Sequence, residues 1–224
     1  MKFAAVLMVL AGSASAQEFV SAPGPLSDDA FYRAVSCGAA PDGECRKPIL
    51  RWPEEKRDGV TVALASVAPG LLPYQRALYE EGLEAALDEI NGLGAGVRLR
   101  RVNIDDPDIE IHVVATAPGQ VMENTGVEAL DGNVLPLGRV ALRARDSEIR
   151  EALIAISAKA RRREIASILL EETTQALGLM TDIRGPTYRR SVFSEDSNSV
   201  VRLEGQDAMA LRRHYAPNTP QEES

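Results

Sequence analysis

Alternation of apolar and polar positions becomes regular at Val60, where Val60-Thr61-Val62-Ala63-Leu64-Ala65 reads as a strand. Pro73 then opens a predicted helix that carries Tyr79, Leu83, Ala86, Leu87 and Ile90 on one face and stops at Gly92. Val97 to Ile104 and Ile109 to Ala115 follow as strands, joined by the acidic turn Asp105-Asp106-Pro107-Asp108. Gly119, Gly126, Gly132 and Pro136 punctuate a loop-rich region up to Gly138, and further β structure between Val140 and Ile156 leads into a helix beginning near Arg162. The chain next turns through Arg184-Gly185-Pro186, passes Ser191-Val192-Phe193-Ser194 and ends in a helix of roughly Gln206 to Tyr215. By itself this order of elements supports only an α+β fold.

The start of the chain has a different character. Residues 1–16 place Lys2 before a short apolar run that ends in Ala14-Ser15-Ala16, the pattern of a secretory signal peptide. The run falls short of the roughly 20 residues that span a bilayer. The expected mature N-terminus is therefore Gln17, and the expected location is periplasmic or extracellular, with no membrane insertion. Residues 17–58 read as an N-terminal extension with a short helical piece from Asp28 to Ser36. Cys37 and Cys45 are the two cysteines, and they flank the turn-rich Gly38-Ala39-Ala40-Pro41-Asp42-Gly43-Glu44. In an exported protein that spacing predicts a disulfide closing a small loop. Trp52, the single tryptophan, is expected to anchor core.

The formal charge of −8 becomes about −9 once Lys2 is removed, which argues against nucleic acid or an anionic membrane as partner. Arg161-Arg162-Arg163 is the main basic cluster and reads as a solvated or salt-bridged face. No G-x-S-x-G, phosphate-binding loop or dinucleotide fingerprint is present.

The informative stretch is Glu171-Glu172-Thr173-Thr174-Gln175-Ala176-Leu177-Gly178-Leu179-Met180-Thr181-Asp182. At about 100° per residue, Glu172 falls inside the apolar stripe of Ile165, Ile168, Leu169, Ala176 and Leu179. Burying an unpaired carboxylate is costly, so Glu172 must pair, take up a proton or look into a cleft. Arg184, Arg189 and Arg190, just downstream, are the expected cationic partners. The zinc motif H-E-x-x-H, extended by a glycine and a third ligand, would place its parts at Glu171, Glu172, Gln175, Gly178 and Thr181. The general-base position and the glycine are kept; all three histidines are replaced. The glycine has its own logic, since a helix that must stop and turn sharply commonly ends in a left-handed residue.

With Gln175 and Asp182 included, this run resembles the degenerate zincin-like or metzincin-like proteins secreted by some bacteria, a family known as a domain of unknown function. The likeness extends from about Val35 to Pro217. It implies an α+β zincin-like subdomain over 59–182, with two main helices on a mixed sheet, and a small C-terminal subdomain over 183–217. The polar tail over 218–224 is expected to be disordered. The methionine turn expected of true metzincins is missing, with Val192 and Phe193 near its place.

Zinc is not expected as a cofactor, because neutral Gln175 is a poor ligand and neither histidine has ligand spacing. His112 lies on the strand Ile109 to Ala115, opposite Ile109, Ile111 and Val113, and His214 lies in the last helix. Three functions stay open. The first is a non-catalytic domain that binds a peptide or protein through the former active-site cleft. The second is a metal-dependent peptidase or other hydrolase with Glu172 as base and Glu171, Gln175 and Asp182 as candidate ligands, an oxygen set that suits a harder ion. The third is a structural envelope module.

Overall fold

The computed structural model describes residues 19–216. The signal sequence, the expected Gln17 terminus and the tail 218–224 lie outside the described residues. In chain order the elements are β1 (Phe19–Ser21), α1 (Asp28–Cys37), β2 (Val60–Val67), α2 (Pro73–Gly92), β3 (Leu99–Arg101), β4 (Ile109–Val114), β5 (Gln120–Val121) and β6 (Val134–Leu135). They continue with β7 (Gly138–Arg145), β8 (Glu148–Ser157), α3 (Ile165–Gln175), β9 (Asp182–Arg184) and α4 (Gly205–His214).

Five strands form the central sheet in the order β3-β2-β4-β8-β7. Every pair is parallel except the hairpin β7–β8, so the antiparallel strand β7 is one edge of the sheet. The fold is therefore α+β with a mixed sheet. The two main helices α2 and α3 pack on the sheet, while α1 and α4, which lie where a short helical piece and a terminal helix were expected, pack on each other. The extent of one strand needs correction: the strand expected over Val97 to Ile104 shrinks to three residues, because it runs along a sheet edge and leaves it after the Val102 amide bonds the Val62 carbonyl. β3 and β4 flank β2 on opposite sides. The acidic turn between them is anchored where Asp108 accepts from the amide and hydroxyl of Thr61 and from Lys56.

One face of the sheet carries Val60, Val62, Ile109, Ile111, Val113, Ile154 and Ile156 into the main core against α2 and α3. The two helices touch at Gly82, where a Cβ would stand 2.8 Å from Leu169 Cδ1. The opposite face of the sheet is covered by the segment that carries β5 and β6, through Met122, Leu130 and Leu135. His112 is buried on that second face, bonded to the Ser66 hydroxyl at 2.9 Å and to Glu110 at 3.0 Å. Arg161, Arg162 and Arg163 are exposed, and Arg161 lies 3.6 Å from Glu164.

The first strand returns to the segment just after α3: β1 pairs parallel to β9, with Phe19 opposite Asp182. Trp52 is buried and its Nε1 donates to the Ala176 carbonyl just beyond α3. Cys37 and Cys45 are disulfide-bonded, with Cα atoms 5.1 Å apart. The bridge spans a sequence separation of 8, so in the chain-entropy account its removal costs about 2 to 3 kcal/mol at most. Urea unfolding of the Cys37→Ser, Cys45→Ser double variant should show a loss of that size with the m-value near the parent's; unchanged stability would argue against a bridge that constrains the unfolded chain. Among the described residues no helix is long and apolar enough to cross a membrane.

Candidate functional site

Helix α3 is buried on nearly every side, which its sequence anticipates only in part. Ile165 and Leu169 face Gly82 of α2, while Ile168, Glu171 and Glu172 line a cleft of about 340 Å³. The far wall is the start of the edge strand β7 and the residues before it, Val134, Pro136, Leu137, Gly138 and Arg139. Asp182 at the start of β9, together with Ser194, Glu195 and Asn198, completes the lining. The apolar stripe thus contains a carboxylate because that part of the stripe looks into a cleft rather than into core.

Glu172 is 2% exposed, and its Oε2 has no hydrogen-bond partner among the described residues. Its carboxylate presses on Gly138 so closely that a Cβ there would come within 2.2 Å of Oε1. Glycine at the entry to β7 is what makes room for it, the close approach that glycine in a strand often marks. Gln175 is fully buried and donates through Nε2 to Asp182 Oδ1 at 2.8 Å, while its own Oε1 is unpartnered among the described residues. Thr181 is buried with its hydroxyl likewise unpartnered, and its amide donates to Val35 of α1.

Gly178 adopts φ +102 and packs its Cα against the Leu50 carbonyl and the His214 ring. Two causes therefore meet at this glycine, a left-handed turn after the helix and a backbone contact with no room for a side chain. His214 sits beneath it, bonded to the Leu50 carbonyl at 2.8 Å and to the Tyr32 hydroxyl at 3.3 Å. Neither His214 nor His112 lines the cleft.

The electrostatics are those of crowded acids. Burial raises the pKa of Glu171 well above the usual carboxylate value, and Asp182, Glu172 and Glu195 raise it further. Burial and Asp182 do the same to Glu172, opposed by Arg139. Asp182 is pushed up to about 8 by burial and Glu195, against the pull of Lys47 and of its bond from Gln175. The cation that balances Glu172 is therefore Arg139 of β7 and not Arg184, Arg189 or Arg190. Arg184 is turned to Glu195, at 3.0 Å, and to Asp196. Arg139 is itself mostly buried and donates to the Val134 carbonyl and to Asn133 Oδ1, which ties the strand to the loop before it.

The sequence-expected residues Glu171, Glu172 and Asp182 come together in the cleft; Gln175 lies behind it, and Gly178 and Thr181 shape the turn that returns Asp182 to it. Gly138, Arg139, Ser194 and Glu195 lie outside the motif and are additions from the structure. A sequence signal for the first two exists, a Gly-Arg pair placed just before the apolar run Val140-Ala141-Leu142. Asp207 of α4 accepts from the Ser191 hydroxyl and the Val192 amide and so holds the turn that carries Val192 and Phe193. The three positions expected to hold histidines carry a carboxylate, an amide whose nitrogen donates to Asp182 while its oxygen is unpartnered among the described residues, and a hydroxyl, so none of them supplies an imidazole or a thiolate.

Among curated proteins no sequence matches this chain. A similar solved structure is that of myroilysin, at 13% identity and a TM-score of 0.36, covering 75% of this chain and 97% of the other. Residues 32–219 match the family described as "Protein of unknown function (DUF2927)", to which this chain belongs.

Proposed function

We propose that this chain is an exported, zincin-like domain that has kept a cleft and lost the metal, and that it captures a peptide or protein in that cleft without cleaving it. The observation that carries this reading is the pairing of a buried, orphaned carboxylate on α3 with an edge strand directly across from it. An edge strand offers unpaired backbone groups to which an extended segment can add, and the cleft beside it gives side-chain specificity. The order β2-α2-β3-β4, ribbon, β7-β8-α3 and the sharp turn at Gly178 support the zincin-like description. The disulfide supports a location outside the cytoplasmic membrane.

The test is retention of an immobilised random peptide library by the purified protein. Asn198 is exposed at the cleft, so Asn198→Trp should block it without disturbing the fold. Peptide retention is expected for the parent and at least tenfold weaker retention for this variant. Stoichiometric zinc in protein purified without chelators, with proteolysis abolished by Glu172→Gln, would overturn the proposal.

A further inference from the structure

The chemistry of the captured segment follows from what the cleft leaves unsatisfied. Four carboxylate residues line it, Glu171, Glu172, Asp182 and Glu195, against one cationic side chain, Arg139. Arg184 reaches Glu195 from outside the lining, and Lys47 acts on Asp182, so the acidic surplus is concentrated on Glu171 and Glu172. Acidic side chains alone could be a solvated surface. Here Glu171 and Glu172 are 7% and 2% exposed, so water does not screen them freely.

A second observation is independent of charge. Glu172 Oε2 and Ser194 Oγ are buried, both residues line the cleft, and neither atom has a hydrogen-bond partner among the described residues. Buried polar atoms are nearly always paired, so orphaned ones on residues that line a cleft mark where a ligand's hydrogen-bonding groups belong. Carboxylate oxygens on two elements call for a donor that can serve several acceptors at once. A guanidinium does this, with five N–H groups in a flat fork and a charge it does not lose. The same lining supplies an apolar wall from Ile168, Pro136 and Leu137, suited to the methylene stem of a long basic side chain.

We infer that the cleft is a pocket for an arginine side chain of the bound peptide, seated against Glu171 and Glu172 of α3. The inference rests on the peptide-capture reading and names the residue that reading leaves open. The guanidinium satisfies the acidic groups through hydrogen bonds.

Two matched peptide libraries test it, identical except that one carries arginine at its central position and the other citrulline, which keeps the shape and loses the charge. The arginine library should be retained at least tenfold more strongly, a difference of about 1.4 kcal/mol. Glu172→Gln should remove that preference while leaving the weaker citrulline binding in place, and Asn198→Trp should remove both. Equal retention of the two libraries, or an arginine preference that survives both Glu172→Gln and Glu171→Gln, overturns the arginine pocket while leaving peptide capture standing. Retention of neither library by protein whose thermal unfolding is that of the parent overturns both.

Discussion

Raising the pH from 6.5 to 8 is expected to destabilise the protein by several kcal/mol, and Glu172→Gln is expected to remove a large part of that loss. Glu171, Glu172 and Asp182 all have folded-state pKa values raised above their unfolded ones, with burial as the first cause. The folded state therefore holds protons that the unfolded chain has released, and stability falls as pH rises through the window between the two values. For Asp182 that window runs from the ordinary aspartate value of 3.8 to about 8. Each unit is worth about 1.4 kcal/mol, so this group alone contributes on the order of 5 kcal/mol across its full range, and less where the acids share protons.

Two other groups bound the measurement. Asp207, raised to about 6, acts in the same direction, but its window closes near that pH. His214, lowered to about 3 by burial, acts oppositely: its contribution is lost as pH falls from about 6.5 towards 3. Between 6.5 and 8 the cleft acids dominate. Urea unfolding at both ends of that window measures the slope, and Glu172→Gln should gain about 1 to 3 kcal/mol at pH 8 and little at pH 5, since a neutral amide replaces a charge that burial penalises. Stability that rises with pH across the window, or an identical slope in the variant, would sink the account of the cleft as a set of uncompensated acids.

How far the sequence reaches is clearest in its punctuation. Pro73 and Gly92 bound α2 because proline suits a first helical turn and glycine a last one, and both signals are local. The disulfide is legible because the two cysteines and their loop lie within one short segment. Glu172 is legible as an anomaly, a carboxylate where helical periodicity demands an apolar side chain. Pairings between distant segments are not legible. Nothing local in Phe19–Ser21 says that it lies beside Asp182–Arg184, and nothing in β2 says that it separates β3 from β4. Arg139 is hidden for the same reason: it reaches Glu172 only because β8 is buried between β4 and β7, which brings the first residues of β7 to α3. Arg184, Arg189 and Arg190 are nearer to Glu172 along the chain, but sequence proximity beyond one helical turn does not bring side chains together.

Gly178→Ala is expected to be the most damaging single substitution at the site, with a loss of about 3 to 5 kcal/mol. The residue at this position must take φ +102, which a side chain with a Cβ adopts only under strain of about 1 to 3 kcal/mol. Space makes the cost larger. A Cβ would stand 2.0 Å from the Leu50 oxygen and 2.9 Å from His214 Nε2. Leu50 cannot move freely, because its carbonyl accepts the 2.8 Å bond from His214. His214 is fixed in turn by the Tyr32 hydroxyl, and Arg51 binds both that hydroxyl and the His214 carbonyl. Relieving the clash must therefore displace either this network or the turn from Gln175 to Asp182, and the second option also breaks the Gln175–Asp182 bond and moves Asp182 out of the cleft. At Gly92, by contrast, an added Cβ would meet nothing within 4 Å and φ is not positive, so Gly92→Ala should be neutral or slightly stabilising in the same helix-ending context. Thermal and urea unfolding of the two variants side by side separates a general intolerance of alanine for glycine from the specific contact. Equal and small effects at both positions would show that the segment after α3 is looser than the packing of Leu50, His214 and Gly178 requires.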